Sequence, residues 1–224
     1  MNAPLKPGVT AIILAAGASS RMGSDLPKQF LELGGQILLD RAVDAFVEWA
    51  DEVIVTLPDA RPVSPRHDAR VRYVPGGTTR TESVTNALGA TRFDRVLVHD
   101  AARPFVPRVV MAEVAAALDD YHCAYPVMPV VNSLVVDKDG ELASSPSRTQ
   151  FREVQTPQGF RTDTLKRALA QFGDEHAHLP ELIRRLGMPV KHTTGSPWLF
   201  KLTYAPSLHM AEYYLEHVAP GFEA

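Results

Sequence analysis

Five short runs of apolar residues restrict the fold of this chain more than any other feature. They span residues 10–15, 52–57, 71–74, 95–99 and 124–130. Such runs, rich in Val, Ile and Leu, are typical of strands buried on both faces of a largely parallel sheet. Between them, apolar residues recur at helical spacing over residues 38–49 and 109–118, which predicts helices that pack one face on the sheet. This alternation indicates an α/β fold.

The whole chain fits one such domain. With 224 residues and 45% apolar content it can bury a full core, and it contains no repeat, low-complexity tract or long linker. We predict a single domain over residues 1–224, with a Rossmann-like, doubly wound, mostly parallel sheet. Residues 134–142 interrupt the alternation, because Asp139-Gly140 is a turn pair typical of a β-hairpin. This hairpin is expected to project, either as an oligomerisation arm or as a plain surface excursion.

Composition argues against several classes of protein. The net charge is −3 and the cations are scattered, so nucleic acid is not an expected partner. No run approaches the roughly 20 apolar residues of a membrane span, and the first residues lack the apolar core of a secretion signal. One cysteine, Cys123, suits a reducing compartment. We therefore expect a cytoplasmic protein without a membrane partner, and we interpret the acidic and histidine-containing residues 174–178 as a solvated loop rather than a metal site.

The loop after the first apolar run has the composition of a phosphate-binding loop. Residues 15–20 are small, so backbone N–H groups can approach phosphate oxygens, while Arg21 and Lys28 can neutralise charge. The Walker spacing is absent, and of the three glycines of the dinucleotide fingerprint only Gly17 and Gly23 are available. The loop predicts a nucleoside triphosphate site, and the alternative is a turn that merely starts a helix.

Two more polar clusters follow predicted strands. In residues 76–83 the glycines allow close approach of the backbone and Ser83 offers a hydroxyl, so this segment can bind a nucleotide base or ribose. The alternative is an ordinary helix cap. In residues 99–105, Asp100 can organise Mg²⁺ or orient a hydroxyl and Arg103 can hold a phosphate, or the two form a structural pair. His99 is more typical of a packed histidine than of a catalytic base. Both clusters are expected at the carboxyl edge of the sheet, where open α/β sheets bind ligands.

In this order, these segments resemble the 2-C-methyl-D-erythritol 4-phosphate cytidylyltransferase family, including its ribitol 5-phosphate cytidylyltransferase branch, over nearly the whole chain. The resemblance rests on residues 15–17, 21–22, 27–29, 76–83, 99–105, 148, 155–158 and 200–203. It implies a fold of the nucleotide-diphospho-sugar transferase type, CTP and Mg²⁺ as requirements, and a polyol phosphate as acceptor. It also implies a homodimer built by a β-arm, here within about residues 132–155.

The resemblance further implies roles for individual residues. CTP would be contacted by Ala15, Ala16, Gly17, Gly77, Ser83 and Ala101. The catalytic residues would be Arg21, Lys28, Arg148 and Lys201, with Arg148 reaching in from the partner subunit. The acceptor would be surrounded by Asp100, Arg103, Ser133 and Thr156, together with Lys201, and Asp100 is the candidate Mg²⁺ ligand.

The predicted reaction is in-line attack of the acceptor's phosphate oxygen on the α-phosphorus of CTP, without a covalent enzyme intermediate. Methylerythritol phosphate is the first choice of acceptor because it is the family's commonest bacterial substrate. Ribitol 5-phosphate is the alternative, because Asn132-Ser133-Leu134-Val135 replaces the usual Asp-Thr-x-Lys, residues 173–176 lack a hydroxyl, and residues 195–204 look closer to the ribitol branch. Another sugar-phosphate nucleotidylyltransferase and a catalytically silent dimeric binding protein are the remaining alternatives.

Overall fold

The structure is a computed structural model that describes residues 8–17, 27–58, 69–173 and 178–219. Twelve strands are present in this part of the chain: β1 (Val9–Leu14), β2 (Glu32–Leu33), β3 (Gln36–Ile37), β4 (Glu52–Leu57), β5 (Val71–Pro75), β6 (Arg95–Asp100), β7 (Cys123–Pro129), β8 (Val136–Lys138), β9 (Glu141–Ser144), β10 (Arg152–Val154), β11 (Gln158–Arg161) and β12 (Val190–Thr194). The α-helices are α1 (Leu38–Val47), α2 (Arg80–Ala90), α3 (Arg108–Ala117), α4 (Thr162–Phe172), α5 (Leu179–Arg185) and α6 (Ala205–His217).

Eight of the strands form one sheet in the order β10-β7-β11-β6-β1-β4-β5, with β12 also paired to β7. Strands β6, β1, β4 and β5 run parallel to one another, and β12 runs parallel to β7. Strand β11 lies antiparallel between β6 and β7, and β10 extends the same antiparallel pairing. The predicted mostly parallel α/β sheet is confirmed.

Helices cover both faces of this sheet, as the continuous apolar runs require. Along β1, Ile13 packs in a core cluster with Phe46 of α1, whereas its neighbour Ile12 packs in a second cluster with Leu88 of α2. Successive side chains of a strand point to opposite faces, so each face has its own core. A third cluster, around Leu202 and Tyr214, seats α6 against the loops beside β2.

The hairpin predicted from Asp139-Gly140 is present as β8 and β9, which pair only with each other in the described structure. Both turn residues have positive φ, 55° and 87°, the backbone that an Asp-Gly hairpin turn adopts readily. All residues of the two strands are exposed, including Val136 and Leu142. The single-domain extent and a dimerisation role for residues 132–155 stay predictions.

Among the described residues, no helix has both the length and the apolar character needed to cross a membrane.

Candidate active site

A cavity of ≈ 460 Å³ opens at the carboxyl ends of β1 and β6. Its lining consists of residues 14–17, Lys28, Gln29, residues 77–80, Ser83, residues 100–102, Lys201 and Thr203. The first loop, the glycine-containing turn and the segment after β6 therefore meet at one edge of the sheet, the edge at which open α/β sheets bind ligands.

Backbone hydrogen bonds that continue the strand ladders fix these three segments side by side. The N–H of Ala15 donates to the carbonyl of Thr56 at 3.1 Å, and the N–H of Ala101 donates to the carbonyl of Leu14 at 3.1 Å. Gly76 is tied in the same way, since its N–H donates to the carbonyl of Leu57 at 2.7 Å. The sheet thus sets the spacing of the cavity walls.

The first loop is supported from below by Gln29, which lies in a 3₁₀ turn formed by Lys28–Phe30. The buried Gln29 side chain donates from Nε2 to the carbonyl oxygens of Ala15 at 2.7 Å and Gly17 at 3.3 Å. The same turn places Lys28 in the cavity wall. Arg21, the other predicted cation of this loop, lies outside the described residues.

A contact with the first loop explains the glycine at position 76, and a contact within its own turn explains the glycine at position 77. A Cβ on Gly76 would lie 2.3 Å from the Cβ of Ala16, and a Cβ on Gly77 would lie 2.1 Å from the Cβ of Glu82. Both distances are far below van der Waals contact. Any side chain at Gly76 would therefore push the phosphate-loop candidate away from the turn.

The N-terminus of α2 is organised by a capping box between Thr79 and Glu82. The Glu82 carboxylate accepts hydrogen bonds from the hydroxyl and N–H of Thr78, and these bonds lower the pKa of Glu82. The Ser83 hydroxyl accepts from the N–H of Gly77 at 3.0 Å and donates to the carbonyl of Thr79 at 3.0 Å. The ordinary helix cap, which was the alternative interpretation of residues 76–83, is thus present, and Ser83 also lines the cavity.

Asp100, the last residue of β6, is the charged centre of the cavity. Lys201 Nζ lies 2.7 Å from its Oδ2, and Arg80 Nη2 lies 3.6 Å from its Oδ1. Burial alone would raise the pKa of Asp100, but Arg80 and Lys201, with Arg103 farther away, outweigh burial and hold this pKa well below its usual range. The carboxylate therefore stays ionised at neutral pH.

Lys201 reaches Asp100 because its segment is anchored to the turn after β6. The N–H of Leu202 donates to the carbonyl of Ala102 at 2.9 Å, and Arg103 Nη1 donates to the carbonyl of Leu199. Arg103 does not line the cavity, and its buried Nε has no hydrogen-bond partner in the described structure. Here Arg103 braces the Lys201 segment, and its contact with a substrate phosphate stays a prediction.

Three other predicted substrate or catalytic residues also lie outside the cavity lining. Thr156 is buried beside it, with its hydroxyl 3.3 Å from the N–H of Asp100. Ser133 and Arg148 are exposed near the base of the hairpin, where Arg148 donates to the carbonyl of Val131. Roles for Ser133 at the acceptor and for Arg148 from the partner subunit stay predictions.

Arg80 and Gln29 both help to organise the site, although the sequence motifs indicated no role for either. Arg80 is the first residue of α2 and faces Asp100, and Gln29 holds the first loop from beneath. Both stood within recognisable motifs, but Arg80 acts on Asp100 of β6 and Gln29 acts on the carbonyl oxygens of Ala15 and Gly17, contacts that no local pattern specifies. Only a long-range pairing signal could have identified them.

Asp100 fits the expected Mg²⁺ as a single carboxylate ligand. It is the one carboxylate among the described residues that line the cavity, and no cluster of three or more metal-ligating side chains occurs in the part of the chain that the structure describes. Mg²⁺ is commonly held by one or two carboxylates together with substrate phosphates, so one carboxylate suffices beside a triphosphate. Lys201 engages Oδ2, and Oδ1 faces the cation Arg80 at longer range.

Comparison with known proteins agrees with this geometry. The sequence profile of the 2-C-methyl-D-erythritol 4-phosphate cytidylyltransferase family matches residues 9–217. The protein of that name from Rhodococcus jostii is 38% identical over 218 residues, covering 94% of this chain and 96% of the relative. The one from Deinococcus radiodurans is 37% identical, covering 99% and 97%. The crystal structure of the protein of that name from Thermus thermophilus has a TM-score of 0.82 at 37% identity, covering 93% of this chain and 99% of that one. The chain belongs to the 2-C-methyl-D-erythritol 4-phosphate cytidylyltransferase family.

Proposed function

We propose that this enzyme transfers CMP from CTP to 2-C-methyl-D-erythritol 4-phosphate, giving a CDP-alcohol and pyrophosphate. The observation that carries the proposal is the single cavity in which the small-residue loop and Lys28 face the Asp100–Lys201 pair. The first wall suits a triphosphate, because backbone N–H groups and a cation meet there. The second wall combines an anion and cations, which suits an acceptor that carries both hydroxyls and a phosphate.

The hydrogen bonds of Ser83 support a cytosine base. Its hydroxyl proton is committed to the carbonyl of Thr79, and one lone pair is occupied by the N–H of Gly77. A hydroxyl oxygen has two lone pairs, so Ser83 can still accept one bond from a ligand but cannot donate one. The 4-amino group of cytosine is a donor, whereas O4 of uracil is an acceptor. We propose that the edge of the base meets Ser83, in which case this hydroxyl favours the 4-amino group of CTP over O4 of UTP.

The chemical step needs positioning and charge stabilisation rather than a general base. The acceptor's phosphate oxygen is already a nucleophile at neutral pH, and Lys28 and Lys201 supply cations on opposite walls of the cavity. Negative charge that builds on the α-phosphoryl oxygens is stabilised by Lys28 and the adjacent backbone N–H groups. When bound, Mg²⁺ held by Asp100 and the triphosphate would supply further charge neutralisation.

The acceptor is proposed from the relatives. The curated relatives compared above carry the methylerythritol name, which supports that acceptor over ribitol 5-phosphate. The ribitol alternative rests on the departures at Asn132-Ser133-Leu134-Val135 and in residues 195–204. The choice between the two is an experimental question that parallel assays answer.

We further propose that the hairpin builds a homodimer. Exposed apolar side chains are concentrated along the hairpin and its base, at Val131, Val135, Val136, Leu142 and Phe151. Exposed apolar side chains gathered in one segment are typical of an interaction site, and a second copy of the chain is the simplest partner. Such a dimer would bring Arg148 and Ser133 toward the partner's cavity.

The single cysteine supports a cytoplasmic location.

Product identification by ³¹P NMR tests the proposal. Purified protein, CTP, Mg²⁺ and methylerythritol phosphate should give a diphosphate diester and pyrophosphate, with CTP consumed in equal amount. CTP binding without pyrophosphate release would support a silent binding protein instead. Preference for another nucleoside triphosphate would point to a different sugar-phosphate nucleotidylyltransferase.

A further inference from the structure

His99 is a buried histidine for which the proposed mechanism has no use. It lies next to Asp100 in β6, is 0% exposed and packs its ring against Phe46 with the ring centroids 5.0 Å apart. Both ring nitrogens are engaged. Nε2 lies 2.9 Å from the carbonyl oxygen of Arg103, and Nδ1 lies 3.0 Å from the hydroxyl oxygen of Thr156.

The partners of His99 determine the direction of these hydrogen bonds. A carbonyl oxygen can only accept, so Nε2 carries a proton and donates to Arg103. In the neutral ring Nδ1 is then an acceptor, and the Thr156 hydroxyl donates to it. The Thr156 oxygen in turn accepts from the N–H of Asp100 at 3.3 Å. A series of hydrogen bonds with one direction therefore runs from the Asp100 N–H through the Thr156 hydroxyl and the His99 ring to the carbonyl oxygen of Arg103.

This series of hydrogen bonds connects the two ends of the Asp100–Arg103 turn, which carries the charged centre of the site. It engages the N–H of Asp100 and the carbonyl of Arg103, the two ends of a turn in which the N–H of Arg103 donates to the carbonyl of Asp100 at 3.0 Å. The same turn anchors Leu202, the residue after Lys201, through the carbonyl of Ala102. The positions of Asp100 and Lys201 thus both depend on this turn.

We propose that His99 and Thr156 act as one positioning unit that holds the Asp100–Arg103 turn, and through it the Asp100–Lys201 pair, in the geometry that binds the acceptor. Neither side chain lines the cavity, so the unit acts through Asp100 and Lys201. The inference rests on the proposed function for its kinetic readout. Its structural readout, the tautomer of His99, is independent of activity.

Variants that remove the hydrogen-bonding atoms test the unit kinetically. His99→Phe keeps an aromatic side chain and Thr156→Val keeps the shape, and each should raise the KM for the acceptor about tenfold while the Kd for CTP changes less than about twofold. Thr156→Ser, which keeps the hydroxyl, should retain more acceptor affinity than Thr156→Val. Because the two residues act as a unit, the double variant should be little worse than either single one. Unchanged acceptor KM in both single variants, or fully additive effects, would overturn the proposal.

Thr162→Val is the matched control for lost stability. Thr162 is equally buried and donates from its hydroxyl to the carbonyl of Phe93 at 2.8 Å, at the amino end of β6 and so away from the cavity. This variant should lower thermal stability as Thr156→Val does, yet leave the acceptor KM unchanged. An increase in acceptor KM as large as that of Thr156→Val would mean that general loosening, not positioning, explains the effect.

Histidine ¹⁵N NMR tests the geometry even if the wild-type protein proves inactive with both acceptors. At pH 7 the signal that disappears in His99→Phe should show the neutral tautomer with the proton on Nε2, and its Nδ1 shift should change in Thr156→Val. A proton on Nδ1 would overturn the inferred direction of these hydrogen bonds. Absence of pyrophosphate release from wild type with the expected tautomer intact would contradict the proposed function alone.

Discussion

Lys201 Nζ lies 2.7 Å from Oδ2 of Asp100, although the two residues are 101 positions apart in sequence. Asp100 ends a buried strand, whereas Lys201 lies in an irregular segment that is held by Ala102 and Arg103. The pair is partly open to solvent and carries a second cation, Arg80, at its edge. It therefore combines a fixed carboxylate with cations that can be redirected to an incoming phosphate.

Lys28→Ala should lower turnover strongly and weaken CTP binding much less. Losing one donor aimed at developing charge costs about 3–4 kcal/mol, which corresponds to a fall of roughly two to three orders of magnitude in kcat. Steady-state kinetics and direct CTP titration separate the two effects. Lys166→Ala, at an exposed position of α4, is the control and should change neither. Near-normal turnover of Lys28→Ala would remove Lys28 from its role.

Gly76→Ala should damage both folding and CTP binding. Its new Cβ would overlap the Cβ of Ala16, and overpacking of this kind costs about 1–3 kcal/mol of unfolding free energy. Gly89→Ala is a matched control, because Gly89 lies inside α2 and an added Cβ there would meet nothing within 4 Å. The control should stabilise the protein by about 0.5–1 kcal/mol. Denaturant unfolding measures both, and equal stability of the two variants would contradict the close loop contact.

Acidification should destabilise the protein through His99 above the range in which its carboxylates titrate. Burial lowers the pKa of His99 from 6.5 to about 4, so the unfolded chain binds a proton more readily than the folded one. Stability is then complete above pH 6.5 and falls as the pH drops from 6.5 toward 4, by about 3 kcal/mol for this group. Denaturant unfolding across this range measures the slope.

Comparison with His99→Phe isolates that slope. The lowered pKa values of His122 and His178 act in the same direction and persist in the variant. The lowered pKa values of Glu52 and Asp100 matter only below about pH 4.5, where these carboxylates lose the ionised form that folding favours. The slope between pH 4.5 and 6.5 should be shallower in His99→Phe. Parallel curves would show that His99 does not stay neutral in the folded protein.

Disrupting the hairpin should produce monomers of low activity. Leu142→Asp places a charge on an exposed apolar side chain of β9, where a partner subunit would bury it at high cost. Analytical ultracentrifugation and activity should change together, because Arg148 is proposed to act across the dimer. A proven monomer with wild-type activity would contradict that role.

Strands that read as continuous apolar runs, and the hairpin marked by Asp139-Gly140, were predictable, whereas elements without such a local signal were not. Strands β1, β4 and β6 lie within one residue of their predicted bounds, because strands covered on both faces read as continuous apolar runs. Strand β12 escaped prediction because Val190–Thr194 sits at the sheet edge and is mostly solvent-facing. Helix α6 also escaped, since apolar side chains such as Met210 and Tyr213 lie on its exposed side and blur the amphipathic pattern.

The site likewise contains residues with a local sequence signal and residues without one. Gly76 and Gly77 carry a local signal, because an added Cβ at either position would overlap a neighbouring residue. Ala15–Gly17 is recognisable as a run of small residues after an apolar strand. The orientation of Arg103 toward Leu199 has no local signal, since it depends on a segment 96 residues away. Contacts of this kind follow from tertiary packing, which a single sequence does not encode in any local pattern.

The most direct test of the proposed reaction is the rate of pyrophosphate release from CTP in the presence of Mg²⁺, measured in parallel with methylerythritol 4-phosphate and with ribitol 5-phosphate. Release with the first acceptor should occur at a kcat/KM at least about tenfold above that with the second. Release with ribitol 5-phosphate alone would contradict the proposed acceptor, and release with neither would contradict the proposed reaction.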